Sequence, residues 1–228
     1  MQRRRLIVVV PLGLTGMLFF GCHDNSLRQE LRETSAPTII KQPVNFAQRT
    51  FDPSRPPSDM PPLSRGEEAV CDSDFLSSAN VRGMTRQIDS THGTLTVTQI
   101  KMTLQLHVTI WVPTGATKHV LEHEEGHRQI SEYYYQSADQ LAAQIAATYL
   151  GRQVDVTGTD LDAESNKVLK QLAGEITAEY GRQLNPDPAQ QLYDTITDHS
   201  RNGVEAKGAV AHAIKNVEVE ISQPAKRD

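Results

Sequence analysis

An α+β fold, a small antiparallel sheet followed by helices, is what the sequence predicts, and two observations carry it. One long stretch alternates apolar and polar residues, and all the helical patterns come after it. From Ile100 to Val112 every even position is apolar: Ile100, Met102, Leu104, Leu106, Val108, Ile110 and Val112. Lys101, Thr103, Gln105, His107 and Thr109 between them are polar, and only Trp111 breaks the rule. Period two over this length is a strand with one buried face. Leu95 and Val97 sit on the opposite parity, which places a bulge near Thr98-Gln99. Residues 69–92 read as a shorter strand and loops.

Pro113-Thr114-Gly115 closes the strand, and a helical pattern runs from about Thr117 to Tyr149, with Gly151 as a stop. Two further helical segments follow. One spans about Asp160 to Leu184, with Leu161, Val168, Leu169, Leu172, Ile176 and Tyr180 on one face. The other starts after Pro188, is interrupted around Ser200–Gly203 and resumes to about Ile214.

The N-terminal part has a different composition. Arg3, Arg4 and Arg5 precede an apolar run from Leu6 to Phe20, too short for a comfortable membrane span and of signal-peptide length. Gly21-Cys22 straight after it resembles the bacterial lipoprotein cleavage signal, which would make Cys22 the lipidated first residue. Ordinary cleavage nearby, giving a soluble periplasmic or secreted chain, is the alternative. Seven of the twelve prolines lie between Pro37 and Pro62, so the stretch reads as an extended tether. An ordered arm over 43–65 is the competing reading. The expected organisation is a leader at 1–21, a tether at 22–65, a domain at 66–216 and a polar tail at 217–228.

Export implies an oxidising compartment, yet Cys22 and Cys71 are the only cysteines, too few for a disulfide scaffold. Lipid on Cys22 would leave Cys71 without a disulfide partner, whereas a Cys22 that stays a thiol could bridge to it across the Pro-rich segment. The chain has 23 basic and 28 acidic side chains, and the leader takes away three of the basic ones. An acidic domain without a basic patch excludes nucleic acid as a partner.

The segment His123-Glu124-Glu125-Gly126-His127 carries the chemistry. Side chains four apart on a helix share a face, so both imidazoles reach one Zn²⁺. Glu124, directly after the first ligand, is placed to act as general base on a zinc-activated water and as acid to the leaving amine. Gly126 leaves room between the ligands for another segment or the substrate. His119 is also four residues from His123, but it is about 12 Å of helix rise from His127 and has no glutamate after it. It reads as a surface or supporting residue.

A catalytic zinc takes three protein ligands. The third is sought in Tyr193-Asp194-Thr195-Ile196-Thr197-Asp198-His199-Ser200, where His199 is the first choice and Asp194 the rival. His107, on the strand, is a further competitor. Tyr193 is a candidate for stabilising the oxyanion, and Asp194 otherwise orients a ligand histidine.

A strand ending in Val112-Pro113, the acidic His123–His127 helix, Asn166, and Tyr193, Asp194, Thr197 and His199 occur in this order. Together they resemble a bacterial family of predicted secreted zinc-dependent proteases with a zincin-like fold, over roughly residues 70–205. The resemblance implies zinc and proteolysis, with His199 at the family's histidine position. Ser200 stands where that family usually has glycine, and the second cysteine that many members carry in the domain is missing.

The expected function is therefore a membrane-anchored or secreted zinc metallopeptidase acting on peptides or proteins of the cell envelope. A non-catalytic metal-binding lipoprotein and a zinc amidase acting on cell-wall material are the alternatives. Lipid on Cys22 predicts recovery in the membrane fraction with a mass shift on the first mature residue. A soluble mature chain starting elsewhere would refute it.

Overall fold

The computed structural model describes residues 36–64 and 66–222. Its strands are β1 (Thr38–Lys41), β2 (Asn45–Phe51), β3 (Val70–Gln87), β4 (His92–Pro113) and β5 (Gln153–Thr157). Its helices are α1 (Lys118–Gln136), α2 (Ala138–Ala147), α3 (Leu161–Gln183), α4 (Asp187–Thr197) and α5 (Ala206–Ser222). The leader, Cys22 and the last six residues fall outside the described residues.

Every other strand pairs with β4. The ladder with β3 is antiparallel and runs from Val70↔Trp111 to Gln87↔Gly93, occupying one edge of β4 almost end to end. The other edge takes three short strands in succession: β5 against 92–96, β1 against 101–104 and β2 against 107–113. The sheet has five strands but is only three lanes wide. β5 is antiparallel to β4, whereas β1 and β2 are parallel to it. The α+β class stands, but the sheet is mixed rather than antiparallel.

The correction comes from the segment expected to be a tether. Its prolines fall between the strands, Pro37 before β1, Pro43 between β1 and β2, and Pro53 after β2, so no ladder hydrogen bond is lost to them. Lys41 then donates to the carbonyl of Gln136 at 2.6 Å and pairs with Asp139 at 2.7 Å, capping the end of α1 with a cation. The hydroxyl of Tyr135 donates back to the carbonyls of Gln42 and Leu104. The arm is part of the folded unit.

The bulge lies where the parity change puts it. Arg82 pairs with Gln99 and Gly83 with Val97, so Thr98 is skipped and both halves of β4 present their apolar side chains to one face. β3 is an 18-residue strand rather than a short one. Its buried positions include Cys71, Ser73, Ser77 and Ala79. These small side chains let α1 approach closely, and Ser131 of α1 donates to Ser73 at 2.9 Å.

The helices pack on this single face of the sheet, and one core joins β3 and β4 to α1, α2 and α3. The expected long helix is two helices, parted at Ser137. The segment read as a polar tail belongs to α5 as far as Ser222. A second cluster, Ile130, Ala189, Tyr193, Ala209, Val210, Ala213 and Val217, fastens α4 and α5 to α1. Among the described residues no helix is long and apolar enough to cross a membrane.

α4 ends in three successive non-glycine residues in the left-handed region, Asp198 (φ 46°), His199 (φ 51°) and Ser200 (φ 66°). Each such residue costs about 1–2 kcal/mol. Glycine takes this backbone freely, which explains why it suits the position of Ser200. Ser200→Gly should therefore raise stability by about 1 kcal/mol in denaturant unfolding. A fall in stability would mean that the serine side chain itself holds the turn.

Candidate metal centre

Thr117 starts α1 by accepting a hydrogen bond from the Val120 N–H. The buried face of this helix carries His123, Glu124, Gly126, His127, Ile130 and Ser131. One helical turn separates the two histidines, and their Nε2 atoms stand 3.2 Å apart.

Helix α4 supplies the rest. Gln190, Tyr193, Asp194 and Thr197 share the face that packs on α1, at the spacing of one helical stripe. Gln190 Oε1 lies 2.5 Å from His127 Nδ1, while its amide donates to the His127 carbonyl and to Ser131 Oγ. With the amide so engaged, its oxygen accepts, and Nδ1 of His127 carries the proton. Thr197 donates its hydroxyl hydrogen to the Tyr193 carbonyl at 2.8 Å, leaving the oxygen to accept from His123 Nδ1 at 3.2 Å. Both imidazoles are thereby held with Nε2 as the lone-pair nitrogen.

Those two nitrogens face the same carboxylate oxygen. Asp194 Oδ1 is 2.8 Å from His127 Nε2 and 3.4 Å from His123 Nε2. His123, His127 and Asp194 form a group whose ligand atoms all lie within 4.8 Å of one another. Two lone pairs and an anionic oxygen converging on one point call for a cation. Without metal that cation is a proton. Burial alone would lower the His127 pKa, but Asp194 raises it to about 9. Burial likewise opposes ionisation of Asp194, yet the two imidazoles hold its carboxyl far below the usual range. This donor set could hold a divalent metal ion, for which imidazole and carboxylate are common ligands.

His199 is close but belongs to a second group. Its Nδ1 is 3.6 Å from Asp194 Oδ1 and 3.7 Å from Glu67 Oε1, and Glu67, Asp194 and His199 form that group. The Nδ1 atom is buried and without a hydrogen-bond partner. Glu67 comes from the loop before β3 and carries no sequence signal. Gln190 was also missed, although its spacing from Asp194 and Thr197 marks it in retrospect.

Glu124 is 4% exposed, and one carboxylate oxygen, Oε2, has no hydrogen-bond partner. The Cys71 backbone N–H donates to the carboxylate. Burial, reinforced by the charges of Asp194 and Glu67, raises its pKa to about 7.

Tyr193 is fully buried, and its hydroxyl donates to the His123 carbonyl at 3.1 Å. Its ring stacks on His123 at 5.0 Å and stands edge-on to His127 at 4.9 Å. The hydroxyl expected to meet an oxyanion is committed to the backbone of α1, and the Tyr193 ring packs against both histidines. It occupies the space that Gly126 leaves. A Cβ on Gly126 would lie 2.5 Å from Tyr193 Cζ and closer still to its oxygen.

The remaining candidates lie elsewhere. His107 pairs with Asp74, one residue out of phase with the Ser73–Val108 pair beneath α1, so it points to the opposite face of the sheet. That orientation removes it as a competing ligand. His119 Nε2 contacts the Asn202 carbonyl at 2.8 Å and ties α1 to the loop after α4. Asn166 is exposed on α3, and His212 is exposed on α5.

Two glycines inside helices should respond oppositely to alanine. Gly126→Ala drives a methyl group into Tyr193 and should destabilise the chain by about 1–3 kcal/mol. Gly174 has open space around its Cβ, so Gly174→Ala should stabilise α3 by up to about 1 kcal/mol. Denaturant unfolding of both variants checks this, and equal effects would contradict the close contact at Gly126. No protein-family model matches the chain, nor does any curated protein or solved structure, so the site rests on its own geometry.

Proposed function

We propose that this chain is a zinc-dependent peptidase of zincin-like design, working in the bacterial envelope on peptide or protein substrates. The observation that carries the reading is the pair of Nε2 lone pairs, fixed by Gln190 and Thr197, that meet the Asp194 carboxylate. His123, His127 and Asp194 would hold the zinc, so the third ligand is the aspartate rather than His199. Zinc there supplies a Lewis acid that polarises a carbonyl and acidifies water.

Glu124 follows from its surroundings. The Cys71 N–H faces its carboxylate, and Oε2 is left uncommitted. That oxygen takes the proton of the attacking water and passes it to the departing amine. A purely structural metal site needs no such residue, which disfavours the non-catalytic alternative. His199 has a buried, unbonded Nδ1 beside Asp194, within reach of a substrate carbonyl rather than of both ligand histidines. Membrane attachment through Cys22 completes the reading.

Glu124→Gln should keep zinc bound while lowering hydrolysis of a peptide library by about 10²–10⁴-fold. Comparable activity in the variant would sink the assignment. Asp194→Ala should lose zinc, whereas His199→Ala should retain it and turn over more slowly. Metal content of the purified variants measures both, and zinc lost with His199 but kept without Asp194 would reverse the ligand choice.

A further inference from the structure

Beside the metal centre the chain builds a cavity of about 710 Å³, between the loop that follows β2 and the turn joining β4 to α1. We propose that this cavity is the subsite for a large aliphatic or aromatic side chain of a peptide substrate, which deepens the peptidase reading and rests on it.

The lining decides the chemistry of the occupant. Phe51, Met60, Leu63 and Ala116 present apolar side chains, and several of the remaining walls are prolines, among them Pro57 and Pro113. Proline has no backbone N–H, so this wall offers few donors to replace the water around a polar group. An apolar side chain loses nothing on entry. The volume falls within the range of about 300–1,000 Å³ that binding pockets span.

The cavity is held open by its own framework. Thr114 donates both its N–H and its hydroxyl to the Phe51 carbonyl, at 2.8 and 3.1 Å, stapling one wall to the other. Within the loop, Arg49 pairs with Asp59 at 2.8 Å, and the Met60 N–H donates to the Pro57 carbonyl at 3.2 Å. A wall already ordered before binding spares the ligand the cost of ordering it.

Glu67 ties the cavity to the chemistry. It lines the cavity, and its Oε1 lies 3.7 Å from His199 Nδ1 in the group that also contains Asp194. A peptide whose scissile carbonyl faces a metal held by His123, His127 and Asp194 can therefore send a nearby side chain past Glu67 into the apolar space.

The test uses the full-length chain carrying Glu124→Gln, so that peptide binds without turnover. Fluorescein-labelled hexapeptide amides, identical except for Leu, Phe, Gly, Asp or Lys at one scanned position, are titrated by anisotropy. At one position the Leu and Phe peptides should bind about tenfold or more tighter than the Gly, Asp and Lys peptides. Leu63→Asp and Met60→Asp, each on this background, should abolish that preference, with the thermal midpoint showing that they fold. Should either variant unfold, a diazirine-bearing leucine analogue at the preferred position should cross-link to Phe51, Met60 or Leu63 of the parent. No preference, no binding, a preference unchanged by both variants, or cross-links elsewhere overturns the proposal. A preference that depends on the cavity, with no hydrolysis by the zinc-loaded unmutated chain, would retain the subsite and defeat the peptidase reading instead.

Discussion

The site depends on how closely α4 can approach α1. Helix α1 alone gives two imidazoles on one face and nothing to orient them. Gly126, between the two histidines, removes the one side chain that would keep a second helix away, and Tyr193 fills the space. Once the tyrosine is seated, helical spacing delivers Gln190, Asp194 and Thr197 to the same face. Two of them fix the tautomers of the histidines and the third faces both Nε2 atoms. Glycine inside a helix costs up to about 1 kcal/mol of propensity, and here the cost is offset by a packed aromatic and an assembled donor set.

The sheet plays the same part for Glu124. Small residues on the buried face of β3 bring the strand against α1, and the start of the strand brings the Cys71 N–H to Glu124. The arm strand β1 secures the far end of α1 through Lys41, while the loop after β2 forms the apolar cavity and the loop before β3 carries Glu67. Segments from before and after α1 thus both close on it.

How much of this the sequence reveals depends on where the signal is local. β4 is legible because its apolar residues alternate strictly, and its bulge because the parity changes. β3 is not, because serine, cysteine and alanine at its buried positions are chosen for closeness to α1 rather than hydrophobicity. β1 and β2 are short, lie among prolines and are held by partners distant in sequence, β4 and the end of α1, so composition points to a tether. In the site, His123, Glu124 and His127 follow from spacing alone. Asp194 and His199 are five residues apart in one polar segment, and the left-handed turn after α4 sets His199 outside the group of His123, His127 and Asp194. Gln190 looks like any solvated helix residue until α1 is known to lie against it.

Anomalous diffraction from crystals of the zinc-loaded chain, recorded on both sides of the zinc absorption edge, tests the central claim most directly. The account predicts one zinc peak bonded to Nε2 of His123, Nε2 of His127 and a carboxylate oxygen of Asp194, with the Gln190 and Thr197 contacts to the two Nδ1 atoms intact. A peak that engages His199 and leaves Asp194 free, or no peak between α1 and α4, would contradict it.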